Sequence, residues 1–455
     1  MAGIGFELRH ILKKNTLLSY VEAYGLAAII GSGPWVLSIL ALMVIGMLSL
    51  GRVFPTDLII QFLVLVTYMM AGSLILSGLF QLLFTRFISD RLFEQQEQQV
   101  TPNLLGCMLV MSVLAALSGV AILLLTALPA AIKISMLTAF VVLCNLWLII
   151  VFLSGMKQYY RIVLTLVGGY SLMVLAAWLM PPFGLLGLLL IFACSQALIA
   201  FTLLFFVLRH YPSDKLIAFD FLRRRYAFVS LALCGLLYNL GVWADKFVFW
   251  FTPEVSSQVI DIFRASYIYD LPIFIAYLAI IPGMAVFMLH METDFAAANE
   301  EFYQTVREGG TLEAIFLLKD KMVLACKNSL YQIFKIQGLT LALLLLWSEE
   351  ILRLLKIDLA YLHLLYVDLV GVSLQVLVMA ILNVMFYLDK RYQALALISV
   401  MCVTNLGLSM LSTDLGLAFY GYGFAFAMLI TTLLGLVMLN RQFNRLEYET
   451  FMLQR

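Results

Sequence analysis

The chain is a succession of apolar segments, each about as long as a helix must be to cross a lipid bilayer. Such a helix needs about 20 apolar residues, and short polar breaks separate twelve segments of this kind. Hydrophobic residues make up 64% of the sequence and charged residues 12%, unlike an ordinary soluble protein. The sequence therefore predicts an all-α polytopic membrane protein of twelve transmembrane helices. The predicted spans are 24–50, 58–86, 103–127, 134–156, 162–180, 184–208, 227–251, 264–289, 337–355, 364–388, 394–413 and 418–439.

Basic residues set the expected orientation of these spans. Short loops rich in Lys and Arg stay on the cytoplasmic side of the membrane. Of the 28 Lys and Arg residues, 22 fall on the side that holds the N-terminus, so both termini are predicted to be cytoplasmic. Residues 1–23, with Arg9, Lys13 and Lys14 between apolar positions, predict an interfacial helix. The run Arg223–Arg225 in FDFLRRRYAF is interpreted as an orientation signal, with a lipid or partner site as the alternative.

The breaks divide the chain into two predicted six-helix bundles, 24–208 and 227–439. A cytoplasmic linker, 209–226, joins them, and 440–455 form a cytoplasmic tail. This arrangement resembles transporters with parallel repeats. An insertion at 290–337 predicts one helix over Asp294–Glu308 and a second that begins with Thr311 as its N-cap. The insertion either rests on the inner leaflet and continues into the ninth span, or docks a cytoplasmic partner.

The sequence offers little for enzyme chemistry. Its six cysteines occur singly, it has four histidines, and it contains no GxxxxGK[ST], HExxH or GxSxG motif, so no catalytic residue, metal site or cofactor is expected. The net charge of +1 gives no reason to expect nucleic acid. A transporter is favoured over an enzyme.

The stretch YNLGVWADKFVFWF, residues 238–251, places charges inside an apolar span. An ionisable group there costs about 2.5–3.5 kcal/mol on insertion scales and usually marks a function. Asp245 and Lys246 are adjacent, so on a helix they should point about 100° apart and need different partners. Counting outward from the loop FTPEVSS predicts Arg264 and Asp261 as those partners, in a network that forms an outer gate. Alternatively, Lys246 reaches to the membrane interface.

Two more features of the spans suggest sites or hinges. Asp270 precedes Leu271 and Pro272, a pattern typical of a helix cap, which would start the eighth helix near residue 271. Glycine and proline pairs in the first and eighth spans predict kinks that could act as hinges: Gly33, Pro34, Pro282 and Gly283.

Asp368 lies within the tenth span with no basic residue closer in sequence than Lys356. It sits either at the outer interface or on a substrate path. Carboxylates on a path would attract a cationic cargo, and aromatic rings could stack on sugar faces. The predicted substrate-path residues are Asp245, Asp368, Asn239, Asp270, Trp243, Tyr269, Gln375 and Asn383.

Five stretches resemble the PelG family of bacterial Pel exopolysaccharide export proteins. They are MAGIGFELRHIL at the N-terminus, AYGLAAIIGSGPWVLSIL (23–40), DKFVFWF (245–251), DLPIFIAYLAIIPGMAVFMLHMETDF (270–295) and FYLDKRYQAL (386–395). The resemblance implies a twelve-helix fold of the multidrug/oligosaccharidyl-lipid/polysaccharide exporter superfamily in the inner membrane of a Gram-negative bacterium.

The resemblance also implies a cargo and partners. The cargo would be Pel, a cationic, partly deacetylated polymer of amino sugars. The partners would be the Pel glycosyltransferase, a cyclic-di-GMP receptor subunit and a scaffold subunit with helical repeats, besides the membrane lipids. Three alternatives stay open: a flippase for lipid-linked oligosaccharide, a cation-coupled drug exporter, and a membrane anchor of the synthase that conducts no sugar.

Overall fold

A computed structural model describes residues 16–49, 56–155, 159–179, 184–223 and 227–452. Residues 1–15 of the predicted interfacial helix lie outside this part, as do Arg224 and Arg225 and the last three residues of the tail.

The described chain is almost entirely helical. Six helices precede the linker: α1 (Leu17–Ser49), α2 (Thr56–Phe93), α3 (Val100–Leu124), α4 (Ala130–Gly155), α5 (Tyr159–Leu179) and α6 (Gly184–His210). The rest of the chain forms α7 (Val229–Phe251), α8 (Tyr267–Leu278), α9 (Ile280–Leu289), α10 (Ala296–Arg307), α11 (Leu312–Leu354), α12 (Leu362–Tyr387), α13 (Arg391–Leu415) and α14 (Tyr422–Met452). Short 3-10 turns lie at Glu97–Gln99, Asp220–Leu222, Leu359–Tyr361 and Leu417–Phe419.

These helices confirm the predicted fold class. By length and composition, the described residues contain 11 helical segments able to cross a membrane, counting α8 to α10 as one. The N-terminal helix α1 has 33 residues and covers the first predicted span, which makes twelve in all. Every predicted span coincides with a helix, because apolar runs of this length satisfy their backbone in a bilayer only as helices.

The helices form two compact units. The N-unit comprises residues 34–243 and 249–267, and the C-unit comprises 1–33, 244–248 and 268–455. This division differs from the predicted bundles at 24–208 and 227–439: most of α7 belongs to the N-unit, while residues 244–248 belong to the C-unit. This assignment has a physical reason, since the segment carries Asp245 and Lys246, which hydrogen-bond Tyr269, Tyr277 and Asn405 of the C-unit.

The loop after α7 forms a small antiparallel ribbon in the N-unit. Strand β1 (Ser257–Ile260) pairs with β2 (Phe263–Ala265), and Asp261 occupies the turn with a φ of 53°. The side chain of Arg264 donates to the hydroxyl and carbonyl oxygens of Ser256, both at 2.8 Å. The carboxylate of Asp261 accepts from the backbone N–H of Ala127. The two side chains therefore bond to Ser256, just before β1, and to Ala127, between α3 and α4, instead of the predicted Asp245 and Lys246.

The eighth span is a broken helix. Helix α8 begins at Tyr267, so Asp270 lies in its first turn and the predicted cap is wrong. The helix is interrupted at Ala279, just upstream of Pro282. A proline has no N–H and its ring clashes with the carbonyl four residues before, here that of Leu278, so the break lies where proline chemistry places it.

The other predicted kink looks different. The backbone of α1 is helical from Leu17 to Ser49, through Gly33 and Pro34, and the side chains of these two residues lie outside the described part. Their role as a hinge stays a prediction.

The insertion follows the prediction closely. A π-helical segment, His290–Phe295, leads into α10, and the hydroxyl of Thr311 accepts from the N–H of Ala314 as the predicted N-cap. The second helix continues into the ninth span as α11, with 43 residues. At 1.5 Å per residue this helix is about 65 Å long, about twice the thickness of the hydrocarbon core. Lys319 on α11 pairs with Glu447 on α14, which links the N-terminal half of α11 to α14.

Candidate functional site

The carboxylate of Asp245 lies at the centre of a buried polar cluster in the C-unit. Its Oδ2 atom accepts from the hydroxyl of Tyr269 at 2.6 Å and from the ammonium of Lys246 at 2.9 Å. Its Oδ1 atom accepts from the amide of Asn405 at 3.1 Å. Ser409 in turn donates to the side-chain oxygen of Asn405 at 3.2 Å. Donors from α7, α8 and α13 therefore converge on one carboxylate that has no solvent exposure.

Lys246 turns back towards its own neighbour. Its ammonium contacts Asp245 and the hydroxyl of Tyr277, the latter at 2.7 Å, and lies 5.0 Å from the ring centre of Phe424. The two charges do have different partners, as predicted, but they also pair with each other, because four rotatable methylenes let a lysine reach across the 100° between neighbouring positions. Lys246 is 1% exposed, so it does not extend to the interface either.

Asp368 lies on α12 and is also fully buried. It interacts electrostatically with both Asp245 and Lys246, yet neither of its carboxylate oxygens has a hydrogen-bond partner among the described residues. The backbone of Gly421 approaches so closely that a Cβ atom there would lie 2.9 Å from Oδ1 of Asp368. Asp368 is thus enclosed by the C-unit itself, and both its predicted position at the outer interface and its predicted place on a substrate path stay predictions.

The charges of the cluster do not balance when both acids are ionised. Two carboxylates then face a single ammonium, and burying an unpaired ion is costly. The Asp245–Lys246 pair has the good geometry and added hydrogen bonds that make a buried ion pair tolerable. Asp368 lacks both, so this carboxylate requires a proton or an added cation.

The structure separates the remaining predicted path residues. Tyr269 joins the cluster as a donor to Asp245, and Asp270 lies next to it in the first turn of α8. Gln375 and Asn383 also lie in the C-unit on α12, each with a buried side-chain oxygen that lacks a hydrogen-bond partner.

Two predicted path residues lie elsewhere. Asn239 belongs to the N-unit, where it donates to the carbonyl of Gly235 at 3.0 Å. Trp243 also belongs to the N-unit, with its ring 6.0 Å from that of Trp250.

The predicted hinge residue Gly283 faces the side chain of Gln337, whose oxygen would lie 2.1 Å from an added Cβ atom.

Sequence reasoning missed several members of the cluster. Tyr277, Asn405 and Phe424 complete the surroundings of Asp245 and Lys246. Asn405 gave a usable signal, since an amide within an apolar span needs a partner. Tyr277 and Phe424 gave none, because aromatic residues make up 13% of the sequence and occur in most of the predicted spans.

A third buried carboxylate, Glu292, lies in the insertion. It is 3% exposed and accepts from the hydroxyl of Tyr387 at 2.7 Å. Glu292 belongs to the π-helical segment, an irregularity often found at functional sites. Among the described residues, the C-unit thus buries three carboxylates: Asp245, Asp368 and Glu292. The cytoplasmic location of the insertion stays a prediction.

The described part of the chain offers neither a metal-binding cluster nor a disulfide. Among the described residues, no three or more His, Cys, Asp and Glu side chains are placed to hold a metal ion. All six cysteines are free thiols.

Solved structures show which fold this arrangement belongs to. A multidrug resistance MATE family transporter of the MOP superfamily, in an outward-facing conformation, superimposes with a TM-score of 0.67 at 16% identity, covering 94% of this chain and 96% of that one. A MOP superfamily transporter from Pyrococcus furiosus, described as having a binding pocket of reversed polarity, gives a TM-score of 0.68 at 14% identity, with 93% and 96% covered. An inward-facing MATE family transporter gives 0.58 at 13% identity, with 92% and 94% covered.

At these identities, the similarity establishes the fold. No curated protein sequence matches the chain significantly. The model of the PelG family, described as an exopolysaccharide exporter (EPS-E), matches residues 1–451. The chain therefore belongs to the PelG family of exopolysaccharide exporters and has the fold of MATE transporters of the MOP superfamily.

Proposed function

We propose that this exporter moves a cationic amino-sugar polysaccharide of the Pel kind across the bacterial inner membrane. The family accounts for export of an exopolysaccharide; the positive charge of the cargo is our addition. The observation that carries it is Asp368, a fully buried carboxylate without a hydrogen-bond partner beside a carboxylate that already has one ammonium. An alkylammonium group of a deacetylated sugar would supply the missing charge.

The chemistry of the site favours an amine over an anion. A pyrophosphate-linked lipid would be recognised by Arg or Lys side chains. The buried cluster of the C-unit instead offers carboxylates, tyrosine hydroxyls and an aromatic ring around its single ammonium. This distribution supports the polymer over the lipid-linked oligosaccharide.

In this proposal the exporter works within a synthase complex. The Pel glycosyltransferase supplies the polymer on the cytoplasmic side, and the cyclic-di-GMP receptor and the helical-repeat scaffold subunit complete the assembly. Both termini lie in the cytoplasm. The first part of α11 and helix α10, which carry the exposed pair Lys321 and Glu301, are then on the same side as the synthase.

Reconstitution tests this function. The exporter and its glycosyltransferase are placed together in lipid vesicles, sugar nucleotide is added outside, and the polymer inside the lumen is quantified after external digestion. We expect polymer in the lumen with the wild-type exporter and much less with Asp368→Asn, while both proteins bind the glycosyltransferase equally. Polymer that stays outside with the wild type would support the anchor alternative. Luminal transfer of a lipid-linked oligosaccharide without polymer would support the flippase.

A further inference from the structure

The loop that joins α6 to α7 exposes a cluster of large apolar side chains. Over residues 211–223, which we call the linker loop, four such residues face outward: Leu216 is 75% exposed, Ile217 44%, Phe219 44% and Leu222 48%. Isolated exposed apolar residues are ordinary, but several in one short segment indicate a binding surface. The linker loop therefore presents an apolar tip.

The tip is held rigidly by the start of α3. The N–H of Ala218 donates to the carbonyl of Pro102 at 2.9 Å, and the N–H of Asp220 donates to the side chain of Asn103 at 2.8 Å. Gly106 permits this close approach, because a Cβ atom there would lie 2.0 Å from the carbonyl oxygen of Ala218. The backbone of the loop is thus fixed at several points.

One aromatic residue of the loop decides which way the others point. Phe221 is fully buried and packs edge-on against Phe84, with ring centres 5.8 Å apart. Anchoring Phe221 inward leaves Phe219 and Leu222 on the outside. Their exposure follows from the packing of the loop.

The apolar tip lies between two basic residues. Lys215 is exposed, and the side chain of Arg223 is 72% exposed although it pairs with Asp220 at 2.9 Å. The loop also carries two acidic residues, Asp214 and Asp220. The loop also connects two membrane-spanning helices, α6 and α7, so its ends lie at the surface of the bilayer. Apolar side chains next to basic ones are what binds a segment to an anionic membrane surface.

We propose that the linker loop docks on the adjacent lipid leaflet, with Leu216, Ile217, Phe219 and Leu222 inserted among the acyl chains and with Lys215 and Arg223 on anionic phospholipid headgroups. A lipid surface is favoured over a protein partner because the loop is tethered to the bilayer at both ends. Docking would hold the start of α3 and the end of α6 at a fixed depth. The inference is independent of the cargo that the protein exports.

Site-directed spin labelling in lipid nanodiscs tests the docking. The full chain carries Cys194→Ser, which removes its exposed cysteine, and a nitroxide is attached at Leu216→Cys. Asp214→Cys, an exposed polar position of the same loop, is the matched control. We expect the label at position 216 to collide with oxygen more often than with a water-soluble nickel chelate, and the label at position 214 to show the reverse.

Charge reversal tests the headgroup contacts. In nanodiscs with anionic lipid, Lys215→Glu combined with Arg223→Glu should lower the oxygen preference at position 216 several-fold, and neutral lipid should do the same to the unreversed protein. Equal chelate access at positions 216 and 214 would overturn the docking. Equal insertion in neutral and anionic lipid would overturn the headgroup contacts, and protection that needs an added protein would assign the tip to a partner.

Discussion

Lys246 donates a hydrogen bond to the carboxylate of Asp245, its immediate neighbour in the chain, with 2.9 Å between Nζ and Oδ2. Both side chains are buried, and Tyr269, Tyr277 and Asn405 supply the remaining hydrogen bonds. These three side chains take the place of water around the buried ion pair. Asp368 beside it has no such partners among the described residues.

Removing one member of the ion pair should destabilise the protein strongly. Asp245→Ala leaves the ammonium of Lys246 buried without its carboxylate, which costs about 3–5 kcal/mol. Thermal unfolding of the purified protein in detergent measures the loss. The exposed pair Lys321–Glu301 provides the control, since Glu301→Ala should cost less than about 1 kcal/mol.

Removing both charges should be better tolerated than removing one. The double variant Asp245→Leu with Lys246→Met buries no unpaired ion, so its loss of stability should be well below the sum of the two single losses. A double-mutant cycle measures the difference. Strictly additive losses would show that the two side chains do not interact as the structure describes.

Neutralising Asp368 should reduce export without reducing the stability of the protein. Asp368→Asn removes a carboxylate without hydrogen-bond partners, so the free energy of unfolding should stay the same or rise. Secretion of exopolysaccharide should nevertheless fall several-fold if the carboxylate binds cargo. Asp414→Asn, at an exposed position near the end of α13, is the matched control and should leave both quantities unchanged. A large loss of stability would instead assign Asp368 a structural role.

The crossing of α2 and α7 in the N-unit depends on two glycines. A Cβ atom on Gly235 would lie 2.1 Å from the carbonyl oxygen of Gly78, a backbone atom that cannot move aside. Gly235→Ala should therefore abolish folding or lower the melting temperature by many degrees. Gly168→Ala, a helical site with open space, should be neutral or stabilise by about 0.5–1 kcal/mol. Equal behaviour of the two variants would contradict this close crossing.

The break in the eighth span should follow from Pro282. Pro282→Ala removes the clash with the carbonyl of Leu278 and restores an N–H, so α8 and α9 should merge into one helix with unchanged or increased stability. Export should fall if the break is a hinge. Pro272→Ala, inside the uninterrupted part of α8, is the control. Wild-type export by the Pro282 variant would show that the break does not act as a hinge.

The span positions, the insertion and its cap could be predicted because each depends on local physics. A run of about 20 apolar residues satisfies its backbone hydrogen bonds in a bilayer by forming a helix. Thr311 caps a helix by accepting from the N–H of Ala314 in the next turn. The break near Pro282 is local for the same reason.

The cluster could not be predicted because it depends on rotamers and on distant segments. The helical angle between Asp245 and Lys246 says nothing about how far a lysine folds back. Arg264 and Asp261 were expected opposite the pair, but their side chains bond to Ser256 and to Ala127. The contact of Glu292 with Tyr387 likewise joins two distant segments of the chain.

Equilibrium binding of amino sugars tests whether the buried carboxylates recognise a cationic cargo. The purified exporter is titrated with an oligosaccharide of glucosamine and with its fully N-acetylated counterpart, in parallel with Asp368→Asn and Asp414→Asn. We expect the wild type to bind the amino form about tenfold more tightly, a difference of about 1.4 kcal/mol, and only Asp368→Asn to abolish the preference. Equal affinity of the wild type for both oligosaccharides would contradict a role of the buried carboxylates in recognising a cationic polymer.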